Sequence, residues 1–161
     1  MQKSGHQNIP QTKEIAKIIG EFGYNVDVIN YTDQHCFFAK KYDAVFDICV
    51  LDKPLYWKRL KPKAKKIVYF TGSESEFANS AELSRIRDVQ QRRGVALQPR
   101  RQAPLISKRV EEFDLAVMIG NEYNLQTYSN FQLKQTSLVP NTGYTFGFDT
   151  HWNGSPQKFA Y

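Results

Sequence analysis

The stretch FDLAVMIG, residues 113–120, constrains this chain more than any other. It is an almost unbroken apolar run ending on a glycine, and NEYNLQTYSNF after it reads as a short helix capped by Asn121. A strand covered on both faces has this appearance, whereas a strand with one wet face alternates. YDAVFDICVL at 42–51 and KKIVYFTG at 65–72 share the pattern. Helical stretches lie between these runs. Such alternation implies βαβ units and a mostly parallel, doubly wound α/β sheet flanked by helices. The right-handed crossover rule leaves few topologies.

The flanking segments fit the same scheme. In residues 9–22 the apolar side chains Ile15, Ile18, Ile19 and Phe22 fall on one helical face, and Gly23 follows as a stop. GYNVDVI, residues 23–29, reads as a buried strand. Helix, glycine turn and strand form the second half of a βαβ unit, yet only a few polar residues stand upstream. The expectation is therefore part of a larger protein. Pro54 opens a turn-like or short helical piece, PLYWKRL, and residues 77–94 read as a long helix with sparse apolar positions at Ala81, Ile86 and Val89. Pro99 and Pro104 break the next segment. LKQTSLVPN at 133–141 makes a fifth strand, and the Gly-, Thr- and aromatic-rich residues 145–161 read as a tail or linker after a domain spanning 1–144.

Composition narrows the class. Hydrophobic residues make up 41% of the 161 and aromatics 14%, the make-up of a chain that folds around one core. No apolar run approaches the ~18–20 residues that span a bilayer. The first residues lack a signal-peptide pattern. Cys36 and Cys49 stand in no redox or metal spacing, so a reduced, cytoplasmic setting is expected. The formal charge of +6 is uneven: residues 85–109 hold eight basic side chains against the single acid Asp88, and KRLKPKAKK fills 58–66. Such runs suit phosphate-bearing partners or an anionic membrane surface, or they are simply solvated faces.

Candidate chemistry follows from the sheet. Open α/β sheets bind ligands beyond the carboxyl ends of their strands, which selects Thr71, Gly72 and Ser73, then Gly120 and Asn121, then Asn141 and Thr142. Hydroxyls, an amide and exposed backbone N–H groups there make a rim for hydroxyl-rich or anionic ligands. The same residues are ordinary turn and cap chemistry, and both roles stay open on the residues alone. His6 precedes the first helix, where it is either a general base or an exposed terminal residue. His35 and His151 have no acidic or cysteine neighbours at ligand spacing, so no metal site is expected. Gly-x-Gly-x-x-Gly, P-loop and nucleophile-elbow motifs are all missing, which removes support for a nicotinamide enzyme or a hydrolase.

Taken in order, HQNIPQTKEIAKIIGEFGYNVDVINY, YDAVFDICV, KKIVYFTGSESEFANSAELSRIRDVQQRRG, FDLAVMIGNEYNLQTY and SLVPNTGY cover most of residues 5–144. This set resembles the Rossmann-like N-terminal, acceptor-side domain of a GT-B glycosyltransferase. It is similar to the large retaining, nucleotide-sugar-dependent family of bacterial enzymes. The resemblance implies a sheet of about five strands with the family's first strand and Gly-rich loop missing. That strand is central, so another segment, such as the aromatic tail, fills its slot or the strand order changes. The resemblance further implies His6 nearest the reacting centre, and acceptor-side roles for Asn8, Thr71, Gly72, Ser73, Arg85, Gly120 and Asn121. It implies no cofactor. The partners implied are a nucleotide-sugar donor held by a second domain absent from this sequence, and a glycan or lipid-linked acceptor. Such a half would be inactive alone.

The basic stretch suits a phosphate- or membrane-linked acceptor and peripheral contact with the inner face of an anionic membrane. Incomplete apolar cover favours self-association. The rival reading is a non-catalytic α/β binding module with a basic surface for phosphate-bearing ligands or nucleic acid. A receiver-like module is disfavoured because Asp47 lies inside a strand. Nucleic acid is disfavoured because residues 85–109 contain no stacking aromatic.

Overall fold

The computed structural model describes residues 8–30, 40–48, 50, 55–100 and 102–140. Its frame is an all-parallel sheet of β1 (Tyr42–Asp47), β2 (Leu60–Phe70), β3 (Leu115–Ile119) and β4 (Thr136–Val139), in that spatial order. Helices α1 (Asn8–Glu21), α2 (Ser75–Arg93) and α3 (Glu122–Gln126) alternate with the strands, joined by 3-10 turns at Leu55–Arg59 and Lys108–Glu112. The chain is thus an α/β protein of Rossmann-like type, with four paired strands among the described residues where the sequence suggested about five.

The alternation of side chains decides which residues form the core. Register sets Val68 beside Ala116 and Phe70 beside Met118, all on one sheet face and all buried. Val110 and Phe113, from the 3-10 turn before β3, close over that face with Tyr128 and Val50. The Tyr128 ring stacks on Phe70 at 4.2 Å between centroids. Burial, with the Glu74 charge as a lesser cause, holds the Tyr128 phenol well above its ordinary range, so it stays a hydrogen-bond donor. Trp57 leans on Phe113 and carries the Arg109 guanidinium 4.8 Å above its ring. Asp47 falls on the core face beside Val68, where the Tyr56 hydroxyl donates to its carboxylate.

Asp114 ties the amino end of β3 to the middle of β2. Its backbone N–H donates to the Lys66 carbonyl at 2.8 Å, and its carboxylate accepts from the Lys66 N–H at 2.9 Å. That backbone donor is the main reason the Asp114 carboxyl lies below the ordinary carboxylate range.

Several boundaries differ from the sequence reading. Residues 23–29 do not form a strand. After Gly23, whose φ is 87°, residues 24–30 belong to no described helix or strand, with Tyr24, Val26 and Val28 exposed. Apolar alternation marks a segment fit for a sheet, but pairing makes a strand, and residues 23–29 pair with no strand among the described residues. β1 ends at Asp47 rather than Leu51, and Val50 turns into the core beyond it. β2 begins at Leu60, earlier than the apolar run, because a register shift opposite residues 42–44 accommodates the polar residues around Pro62. α2 starts at Ser75, and the last strand is confined to Thr136–Val139. Among the described strands the order follows the sequence without rearrangement, with β1 and β4 outermost. The proposed linker at 145–161 lies outside the described residues.

Burial sets the expected cost of truncation. Phe113→Ala, at a fully buried ring, should lower the unfolding free energy by about 3–5 kcal/mol in a urea titration. Phe22→Ala, at a ring that is 78% exposed, should change it by less than about 0.5 kcal/mol.

Candidate functional site

β2 and β3 are neighbours and parallel, so the loops that leave their carboxyl ends emerge side by side. Thr71, Gly72 and Ser73 follow β2, while Gly120 and Asn121 follow β3. Three hydrogen bonds latch the two loops. The Tyr128 hydroxyl donates to the Gly72 carbonyl at 3.0 Å, the Asn124 amide to the Ser73 hydroxyl at 3.1 Å, and the Glu74 backbone N–H to the Thr127 hydroxyl at 2.8 Å.

Gly120 is needed for this latch. Its φ of 133° disfavours other residues, and a Cβ built there would lie 2.4 Å from the Asn124 side-chain oxygen. Asn121 and Asn124 cap each other across the first turn of α3, each side chain accepting from the other's backbone N–H. Ser73, Gly120 and Asn121 therefore have structural work here, the alternative that their residue types left open. Thr71 stands exposed at the rim.

Glu74 is the residue that sequence reasoning missed. It is the N-cap of α2, its carboxylate accepting from the Phe77 N–H at 2.9 Å and from the Ser75 hydroxyl at 3.0 Å, and it is only 7% exposed. Glu rarely caps helices, and the FANSAEL pattern placed the helix start later, so only the acidic SESE stretch hinted at it.

Between the first turns of α2 and α3 lies an open groove of about 410 Å³. Glu76, Phe77 and Ser80 line one wall, and Tyr123, Gln126 and Asn130 the other, with Glu74 and Thr127 below. Phe77 is 54% and Tyr123 80% exposed, so two aromatic rings stand at the lips of a trough of carboxylates, amides and hydroxyls. Rings of this kind offer apolar faces, and planar acids and amides offer paired hydrogen-bonding groups, which together suit a ligand that is apolar on one face and hydroxyl-rich at its edge.

The remaining candidates lie elsewhere. Arg85 is ion-paired with Glu82 at 2.6 Å and does not line the groove. Asn8 opens α1, of whose residues 9–21 none is buried. His6, Asn141 and Thr142, like His35 and His151, lie outside the described residues. Among the described residues no group of three or more His, Cys, Asp or Glu is placed to hold a metal ion, and no helix is long and apolar enough to cross a membrane. No protein-family model, curated protein or solved structure matches the chain.

A double-mutant cycle isolates the close approach at Gly120. Gly120→Ala should cost roughly 1–3 kcal/mol of stability. In the Asn124→Ala background the cost should fall clearly, because the opposing oxygen is gone. Equal costs in both backgrounds would assign the whole effect to backbone conformation.

Proposed function

We infer that this chain is the acceptor-side half of a glycosyltransferase. It would hold a glycan or lipid-linked acceptor while a second domain supplies the nucleotide sugar. The observation that carries the reading is the groove beside the carboxyl ends of β2 and β3, where the Tyr123 and Phe77 rings flank the Glu74 and Glu76 carboxylates. This is the edge on which open parallel sheets bind ligands, and its lining suits the alternating apolar and hydroxylated surfaces of a sugar ring.

In this reading the acceptor lies along the groove and reaches toward Thr71 at the loop rim. His6 serves as the acid–base group nearest the transferred sugar, with Gly72, Ser73, Gly120 and Asn121 supporting the groove and Asn8 acting from the start of α1. Arg85 and the cations after it face a phosphate-bearing acceptor or the inner leaflet of an anionic membrane, consistent with a cytoplasmic setting. Arg87, Arg93 and Arg100 hold part of that charge on or beside α2.

The test has two arms. Oligosaccharides titrated against the isotopically labelled chain should move the amide signals of residues 74–80 and 122–130. Tyr123→Ala should weaken that binding at least ~10-fold, about 1.4 kcal/mol, with unchanged stability because the ring is exposed. Joined to a nucleotide-sugar-binding domain, the chain should gain transfer activity that His6→Ala lowers ~100-fold. Absence of any oligosaccharide-induced shift in the groove would contradict the reading.

A further inference from the structure

Charge is spread unevenly over this protein, and the groove between α2 and α3 runs against the trend. The chain carries 22 lysines and arginines against 16 acids. Yet none of the nine described residues that line the groove is Lys, Arg or His, and two of them, Glu74 and Glu76, are acids. Arg85, further along α2, is held by Glu82 at 2.6 Å and takes no part in the lining.

The two acids are committed to different degrees. Glu74 is buried and accepts from the Phe77 N–H and the Ser75 hydroxyl. A carboxylate offers about four lone-pair sites, so those two bonds leave it able to accept more. Glu76 is exposed in the first turn of α2, with no hydrogen bond or ion pair to another described residue. Phe77 and Tyr123 flank them with exposed rings, and the faces of such rings attract a cation as well. One term opposes this. The amino end of α2 carries a partial positive charge of about half a unit, which is less than the two carboxylates beside it. The balance favours a positively charged ligand. Ser80, Gln126 and Asn130 add hydroxyl and amide groups around the acids.

We propose that the groove takes an amino sugar, with its protonated amine at Glu76 between the two rings and its hydroxyls on Ser80, Gln126 and Asn130. This rests on the reading of the chain as a sugar-acceptor domain and narrows it: the residue in the groove bears a free amine. An N-acetyl group there would lose the charge that Glu76 recognises. A uronic acid or sugar phosphate would meet two carboxylates of its own sign, so the phosphate of a phosphate-linked acceptor has to lie outside the groove. A lysine side chain offers the same ammonium but none of the ring hydroxyls that the amides and Ser80 would bind.

The experiment titrates four probes against the isotopically labelled full chain: a linear tetramer of β-linked glucosamine, its N-acetylated form, the corresponding glucose tetramer, and tetralysine. A buffer at pH ~6 keeps the amines protonated. The glucosamine tetramer should shift the amide signals of residues 74–80 and 122–130 and bind at least ~10-fold more tightly than each of the other three. Added salt should shrink its preference over the two uncharged tetramers. Glu76→Gln, at an exposed side chain, should cut that preference below ~3-fold, whereas Asp88→Asn, at another exposed acid of α2, should keep it. Equal binding of all three tetramers in the groove would overturn the amino-sugar proposal and leave the sugar-acceptor reading standing. Binding of none would overturn both. Tetralysine binding as tightly as the glucosamine tetramer, or a preference that survives Glu76→Gln, would also overturn the proposal.

Discussion

The pairing of β2 with β3 is the constraint on which everything else rests. These two strands bring Val68, Phe70, Ala116 and Met118 onto one face in register, and that face is the centre of the core. Asp114 secures the start of β3 to the middle of β2 through the Lys66 backbone. At the carboxyl ends the Tyr128 ring packs on Phe70 while its hydroxyl reaches the Gly72 carbonyl, so one residue joins core to loop. The loops cannot shift without disturbing the buried ring, which gives the groove a rigid floor.

This arrangement divides the polar residues at the sheet's carboxyl edge into two groups. Ser73, Gly120, Asn121, Asn124 and Thr127 satisfy one another and hold α3 against the β2 loop. Phe77, Tyr123 and Gln126 project into the groove instead. In the proposed reading such a mutually bonded base would be preorganised, since little side-chain order would remain to be imposed on it by a ligand. Glu74 belongs to both groups, as the cap of α2 and part of the groove lining.

Much of the fold was legible in the sequence because burial on both faces leaves a strong mark. FDLAVMIG, KKIVYFTG and YDAVFDICV each yielded a strand, and Asn121 was identified as a cap from its place before a helix. What was not legible depended on pairing or on distant contacts. GYNVDVI carries the composition of a strand, but composition does not reveal whether an edge is available. LKPKA looks too polar for a strand, yet β1 pairs with Leu60 and then with Lys65, and the register shift absorbs the residues between. The candidate rim at Thr71–Gly72–Ser73 and Gly120–Asn121 was found by topology alone, whereas the groove beside it was missed. Its key residues, Glu74 and Tyr123, are local to helix starts and acquire meaning only when α2 and α3 are brought together by the latch.

The two outer strands of the described sheet, β1 and β4, pair on one side only, whereas β2 and β3 are paired on both. Among the described residues the sheet's protection against opening should therefore be greatest at its two inner strands. Native-state hydrogen exchange of the isolated chain tests this most directly. The slowest amides should lie in β2 and β3, with β1 intermediate and residues 24–29 exchanging at nearly the rate of an unstructured chain. Protection in residues 24–29 equal to that of β2 would show that the segment is already paired, and would contradict a sheet that ends at β1.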